Sequence, residues 1–122
     1  MSNDAEGKPP WDLEERTLQF ALAIIKFTID VPKNDESRVL TRQVLRSGTS
    51  IGANYSEATR ARSRAEFISK TGDCLREASE TKYWLRLLSA SHLASPSKCE
   101  PLLKETEELL AILTTINKRS KD

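Results

Sequence analysis

Histidine, cysteine, glycine and aromatic residues are all scarce in this chain. Its 122 residues include one histidine, two cysteines, four glycines and seven aromatics. A zinc site draws its ligands from clustered Cys and His, so one His and two distant Cys exclude it. Helical di-metal sites use Glu-x-x-His pairs, but Ser89 stands three residues before His92, so that motif is absent. No metal or other cofactor is expected. The run Ser47-Gly48-Thr49-Ser50-Ile51-Gly52 resembles a phosphate loop only superficially. It lacks the Gly-Lys-Ser/Thr ending and follows no strand.

Long apolar runs are missing too. No stretch approaches the roughly 18 residues of a membrane span. The polar start, Met1 to Pro10, does not read as a signal peptide, so the expected location is the cytoplasm. A disulfide is excluded by spacing. Cys74 falls mid-helix and Cys99 beyond the next turn, which puts them roughly 27 Å apart along a helical bundle. A disulfide needs Cα atoms within about 7 Å. Both cysteines read as reduced core thiols.

Charge of one overall sign is also lacking, because 19 Lys and Arg face 18 Asp and Glu, a net of +1. The chain is not a globally basic polyanion binder. The distribution is uneven, however. Residues 1–37 carry a net of −4, residues 38–70 a net of +5, and residues 71–122 balance. A basic middle beside an acidic start can steer a polyanion, or the two can pair within or between chains.

What remains is rich in Leu, Ala, Glu, Lys, Arg, Ser and Thr, a helix-forming composition for one domain. Heptad seams recur. The first helix reads Leu13, Thr17, Phe20, Ile24, Phe27 and Val31, capped by Asp12 and stopped by Pro32. The second, from about Ser37 to Ala61, reads Leu40, Val44, Ser47, Ile51, Asn54 and Ala58. Gly48 and Gly52 each disfavour helix by about 1 kcal/mol relative to Ala. The unbroken register carries the helix across them, and two glycines four apart admit a neighbouring backbone closely. The third helix opens on the capping box Ser63-Arg64-Ala65-Glu66. Its seam is Phe67, Thr71, Cys74, Ala78, Thr81, Leu85, Leu88 and His92. The fourth follows a box at Ser97-Lys98-Cys99-Glu100, with seam Cys99, Leu102, Thr106, Leu109, Leu113 and Ile116. The expected fold is all-α, an antiparallel up-and-down four-helix bundle over residues 11–118. A disordered arm over 1–10 precedes it, and a frayed charged tail over 119–122 follows. A second apolar stripe (Leu18, Ile25, Leu45, Tyr55, Ile68, Leu75, Trp84, Leu103 and Leu110) widens the core face or is buried by self-association.

The run from Arg42 through Ala58 resembles the signature of the four-helix bundle proteins associated with 23S rRNA intervening sequences. Its core is Ser47-Gly48-Thr49-Ser50-Ile51-Gly52-Ala53-Asn54-Tyr55-Ser56-Glu57-Ala58. The positions Glu66-Phe67-Ile68, Lys70, Leu75-Arg76-Glu77-Ala78, Glu80-Thr81, Tyr83-Trp84-Leu85 and Leu87-Leu88 match that family's second block. Tyr55 and Ser56 stand where Ile and Ala are usual. The resemblance implies an antiparallel bundle assembled into a ring-like homopentamer, so the first expected partner is the chain itself. A related branch resembles the accessory protein of diversity-generating retroelements, a basic pentamer that binds nucleic acid. A net charge of +1 is far less basic than that branch.

Three sets of polar residues are candidates for function. Arg46, Ser50, Asn54, Glu57, Glu77 and Glu80 lie on or beside the seams of the family motif. They read as a polar network that fixes register between helices or subunits, with Arg46 meeting a glutamate. A catalytic carboxylate pair has no companion nucleophile or base. Arg60, Arg62, Arg64 and Lys70 form a basic corner that a ring would repeat, and it is suited to phosphate backbones. The alternative is an ordinary solvated corner, since no aromatic residues interleave for base stacking. Arg86 and His92 have the spacing of a helical-bundle ribonuclease motif, but six residues on a regular helix leave the side chains roughly 120° apart. The sequence reading is therefore a non-enzymatic homo-oligomeric bundle that associates with RNA or DNA or serves as an adaptor. The alternatives are a protein-binding scaffold without a nucleic-acid role and a ribonuclease.

Overall fold

The computed structural model describes residues 12–122. The expected N-terminal arm, residues 1–10, lies outside them. Four helices make up this part: α1 Leu13–Asp30, α2 Asp35–Ala58, α3 Arg64–Ala90 and α4 Pro96–Lys121. The connections, 31–34, 59–63 and 91–95, are too short to cross the bundle, so each helix returns antiparallel to the one before it. Successive helices pack along their lengths, whereas α1 and α4 meet sparsely.

Local chemistry sets the ends. α2 starts two residues before the expected Ser37 because Asn34 supplies the cap. The Ser37 amide donates to Asn34 Oδ1 at 2.8 Å, and the Asn34 amide donates back to Ser37 Oγ at 3.0 Å. Lys33 Nζ donates to the carbonyls of Thr28, Ile29 and Val31, closing the C-terminus of α1. α2 ends at Ala58, short of the expected Ala61. At α3, Ser63 Oγ accepts from the Glu66 amide, as the box predicts. Glu66 reaches one residue further back, to the Arg62 amide. The Ser97 box does not form. α4 begins at Pro96 with Ser95 at the N-cap, because proline is favoured in the first turn.

Two seams shift by one residue from their heptad reading. In α2 the ring of Tyr55 is buried at 8% exposure, while Asn54 turns aside and donates to its own helix at Ser50 O. In α4 the buried residue is Asn117 and not Ile116. A straight helix drifts about 20° per heptad against a 3.5-residue repeat, so the next position takes over after two or three heptads. Asn117 Nδ2 donates to Ile68 O at 3.0 Å and to Thr71 Oγ1 at 2.8 Å. Arg64 donates to the carbonyls of Ser120 and Asp122. The C-terminal segment, expected to fray, is helical to Lys121 and tied to the start of α3.

Leu13, Ile24, Ile51, Leu85, Leu88, Leu109 and Leu113 are fully buried in the core. Each contributes about 1.5–3 kcal/mol of burial. Thr17, Thr71, Thr81 and Thr106 share the core, and each hydroxyl donates to the carbonyl four residues earlier. That satisfies the hydroxyl without a partner helix. With its proton committed to Glu77 O, Thr81 Oγ1 accepts from Ser47 Oγ at 2.8 Å across α2 and α3. Both glycines of α2 face α1. A Cβ at Gly48 would stand 3.0 Å from Ile24 Cγ1, and one at Gly52 would stand 2.9 Å from Thr17 Oγ1. The close helix approach expected from the glycine pair is therefore present. Cys74 and Cys99 are buried free thiols.

Candidate functional site

The motif residues that the sequence grouped as one network separate into three parts. Arg46 spans α2 and α3. Its Nη1 donates to Glu77 Oε1 at 3.3 Å and its Nη2 to Glu80 Oε1. Glu57 pairs with Lys70 Nζ at 2.6 Å. Ser50 donates to Arg46 O, and Asn54 to Ser50 O, each within α2. These groups line the outside of the α2–α3 seam and not a buried core layer, since the Arg46 side chain is 51% exposed. Ion pairs at such exposure fix register more than they add stability.

The basic corner is largely committed within the chain. Arg60 Nη1 donates to Ser56 and lies 3.8 Å from Glu14. Arg64 binds the last carbonyls of α4, and Lys70 binds Glu57. Among these four, only the Arg62 guanidinium is left without a hydrogen-bond or ion-pair partner among the described residues. The corner supplies less free positive charge than the sequence count implied, because acids distant in sequence fold against it.

Arg86 and His92 do not converge on a site. His92 lies beyond the end of α3 and adopts a left-handed conformation with φ of 62°. It is exposed, and the Ala94 amide closes the turn on Leu88 O at 3.2 Å. The expected seam position at 92 is therefore a helix-closing turn. His92 borders a hollow with Asp30 and Lys98, and Arg86 is not among the residues lining it. The thiols offer no nucleophile, because burial pushes Cys74 up to about 12 and Cys99 in the same direction. Among the described residues, no cluster of His, Cys, Asp and Glu could hold a metal ion. No helix of the described residues is long and apolar enough to cross a membrane.

The most pronounced surface feature is apolar. Leu18, Leu22, Ile25 and Ile29 lie at 4-3-4 spacing on the outer side of α1, at 52%, 51%, 40% and 68% exposure. Beside this ridge, α2 presents small residues: Thr49, Gly52, Ala53 and Ser56. A hollow of about 390 Å³ lies between them, with Leu18 on its α1 wall. A second hollow of about 370 Å³, near Ile29, Arg42 and Leu45, extends this trough toward the α1–α2 turn. Of the second apolar stripe read from sequence, Leu18, Ile25 and Leu45 are exposed, and Tyr55 is buried. Leu75, Trp84, Leu103 and Leu110 pack partly buried against the core. Trp84 stands edge-on to Tyr83, with ring centroids 5.1 Å apart. The sequence reading missed Leu22 and Ile29. Their spacing from Leu18 and Ile25 is a second heptad on the same helix, and reading α1 for two seams would have found them.

The 23S rRNA-intervening sequence protein family matches residues 12–115. A crystal structure of a protein of unknown function from the S23 ribosomal protein family of Bacteroides thetaiotaomicron VPI-5482 shares 38% identity. It covers 86% of this chain and 97% of that one, with a TM-score of 0.80. No curated protein matches.

Proposed function

The chain belongs to the 23S rRNA-intervening sequence protein family, and we propose that it works without catalysis as a cytoplasmic homo-oligomer, a pentameric ring that serves as a nucleic-acid-associated or adaptor protein. The observation that carries this reading is the α1 ridge. Soluble monomers rarely leave four large aliphatic side chains exposed in one continuous stripe, and self-association buries such a stripe. Light scattering on the purified protein at micromolar concentration tests it. The expected mass is five times that of the chain, and a single-chain mass overturns the reading.

Nucleic-acid association is supported by the ribosomal names of the family and its relative, and by the exposed guanidinium group of Arg62, which a ring would repeat. Fluorescence anisotropy of a labelled structured RNA at two salt concentrations separates the two roles. Binding that weakens steeply with salt, and further in Arg62→Ala, supports the nucleic-acid role. No binding at low salt leaves the protein adaptor. The separate surroundings of Arg86 and His92 weigh against the ribonuclease reading.

A further inference from the structure

A closed ring cannot be built from one patch meeting itself, because each copy must offer two different surfaces that fit each other. This chain has such a pair side by side. One is the α1 ridge of Leu18, Leu22, Ile25 and Ile29. The other is the trough whose far wall is Thr49, Gly52 and Ala53 of α2. We propose that the ridge of one copy seats in the trough of the next copy, and that this single repeated contact closes the assembly. The inference rests on the oligomeric reading above and specifies its interface.

Shape supports the second copy as the occupant. Large side chains in a row fit a row of small ones, as ridges fit grooves between packed helices. The hollow of about 390 Å³ gives that row depth. Charge supports it independently. α1 is acidic at both ends, with Glu14 and Glu15 at the start and Asp30 at the finish; of the two cations between them, Arg16 is paired to Glu105 and Glu108 of α4 and Lys26 is exposed. The trough side carries Arg38 and Arg42 at the start of α2, whereas its end toward Arg60 is also lined by Glu14 and Glu15. The Arg42 guanidinium has no partner within the copy among the described residues. Arg38 reaches only Asp35, at 3.7 Å. A ridge laid along the neighbour's α2 therefore brings acid to spare arginine at the Arg38–Arg42 end, whichever way it runs. The sequence carries the same opposition, −4 over residues 1–37 against +5 over 38–70.

The experiment uses two full-length variants at exposed positions, Leu22→Lys in the ridge and Ala53→Arg in the trough. Circular dichroism confirms that each keeps the helical fold. The wild-type mass is read first, and a wild-type monomer would remove the oligomeric reading as well. With an assembled wild type, each variant alone is expected to sediment as a single chain. Mixed one to one, they should form a two-chain species and nothing larger. The mixture contains one intact ridge, on Ala53→Arg, and one intact trough, on Leu22→Lys. Retention of the wild-type mass by either variant overturns the proposal, and so does a mixture that stays monomeric. A second readout does not depend on variant stability. Leu22→Cys and Ala53→Cys, mixed and oxidised, should give a disulfide-linked pair of unlike chains, since the native thiols are buried. Absence of that pair with the wild-type assembly intact overturns the seating and leaves the oligomer standing.

Discussion

Replacing glycine by alanine should have opposite effects at two positions of this bundle, and the sign at each follows from the space available. In a helix interior the change gains about 1 kcal/mol from propensity. At Gly72 of α3 that gain is unopposed, because the nearest atom to an added Cβ is Asn117 Nδ2 at 4.0 Å. Gly72→Ala is therefore expected to stabilise by about 0.5–1 kcal/mol. At Gly52 the Cβ meets Thr17 Oγ1 at 2.9 Å, Thr17 Cβ at 3.1 Å and the Thr17 carbonyl carbon at 3.4 Å. The obstruction includes the α1 backbone and a branched side chain whose hydroxyl is already held by Leu13 O. Overpacking of this kind costs about 1–3 kcal/mol, which outweighs the propensity gain. Gly52→Ala should come out destabilised by about 1 kcal/mol. The two variants then differ by about 2 kcal/mol, or roughly 6–12 °C in melting temperature for a domain of this length. Urea unfolding followed by circular dichroism, at one fixed protein concentration because association contributes stability, measures both. A Gly52→Ala protein as stable as Gly72→Ala would refute the close α1–α2 approach.

Two further outcomes follow from single side chains. Arg16 is the main polar clamp between the sparsely packed α1 and α4, with Nε to Glu105 Oε2 at 2.7 Å and Nη2 to Glu105 Oε1 and Glu108 Oε1 at 2.9 and 2.6 Å. Arg16→Ala should lose about 1–2 kcal/mol, and hydrogen exchange should show the amides of α1 opening before those of α2 and α3. The Cys74 thiol, raised first by burial and then by Asp73, titrates in the folded chain near 12 against an ordinary value of 9.0. The folded state holds this proton more tightly, so the stabilisation is complete below about pH 9 and is lost as pH rises toward 12. Tyr55 and Cys99 act in the same direction. Stability measured across that window should fall, and Cys74→Ala should flatten the fall. An unchanged slope would contradict the burial assigned to Cys74.

The sequence was sufficient for whatever depends on neighbours within a few turns of the same helix. Four periodic segments, their short connections, the Ser63 cap and the close-packed glycines all followed from spacing, because a helix converts sequence separation directly into direction. Heptad counting misplaced the seam at Asn54 and Ile116, where drift and side-chain size decide between adjacent positions. Only the folded chain decided which charges are spent. Arg64 meets the last carbonyls of α4 and Lys70 meets Glu57, while Arg16 meets Glu105 from 89 residues away. Such pairings need the antiparallel return of distant helices, so a count of arginines could not separate a free basic corner from a neutralised one. The exposed ridge was decided in the same way. The periodicity of α1 marks two apolar faces, and only the packing decided that one of them faces the core while the other stays exposed on the outer side.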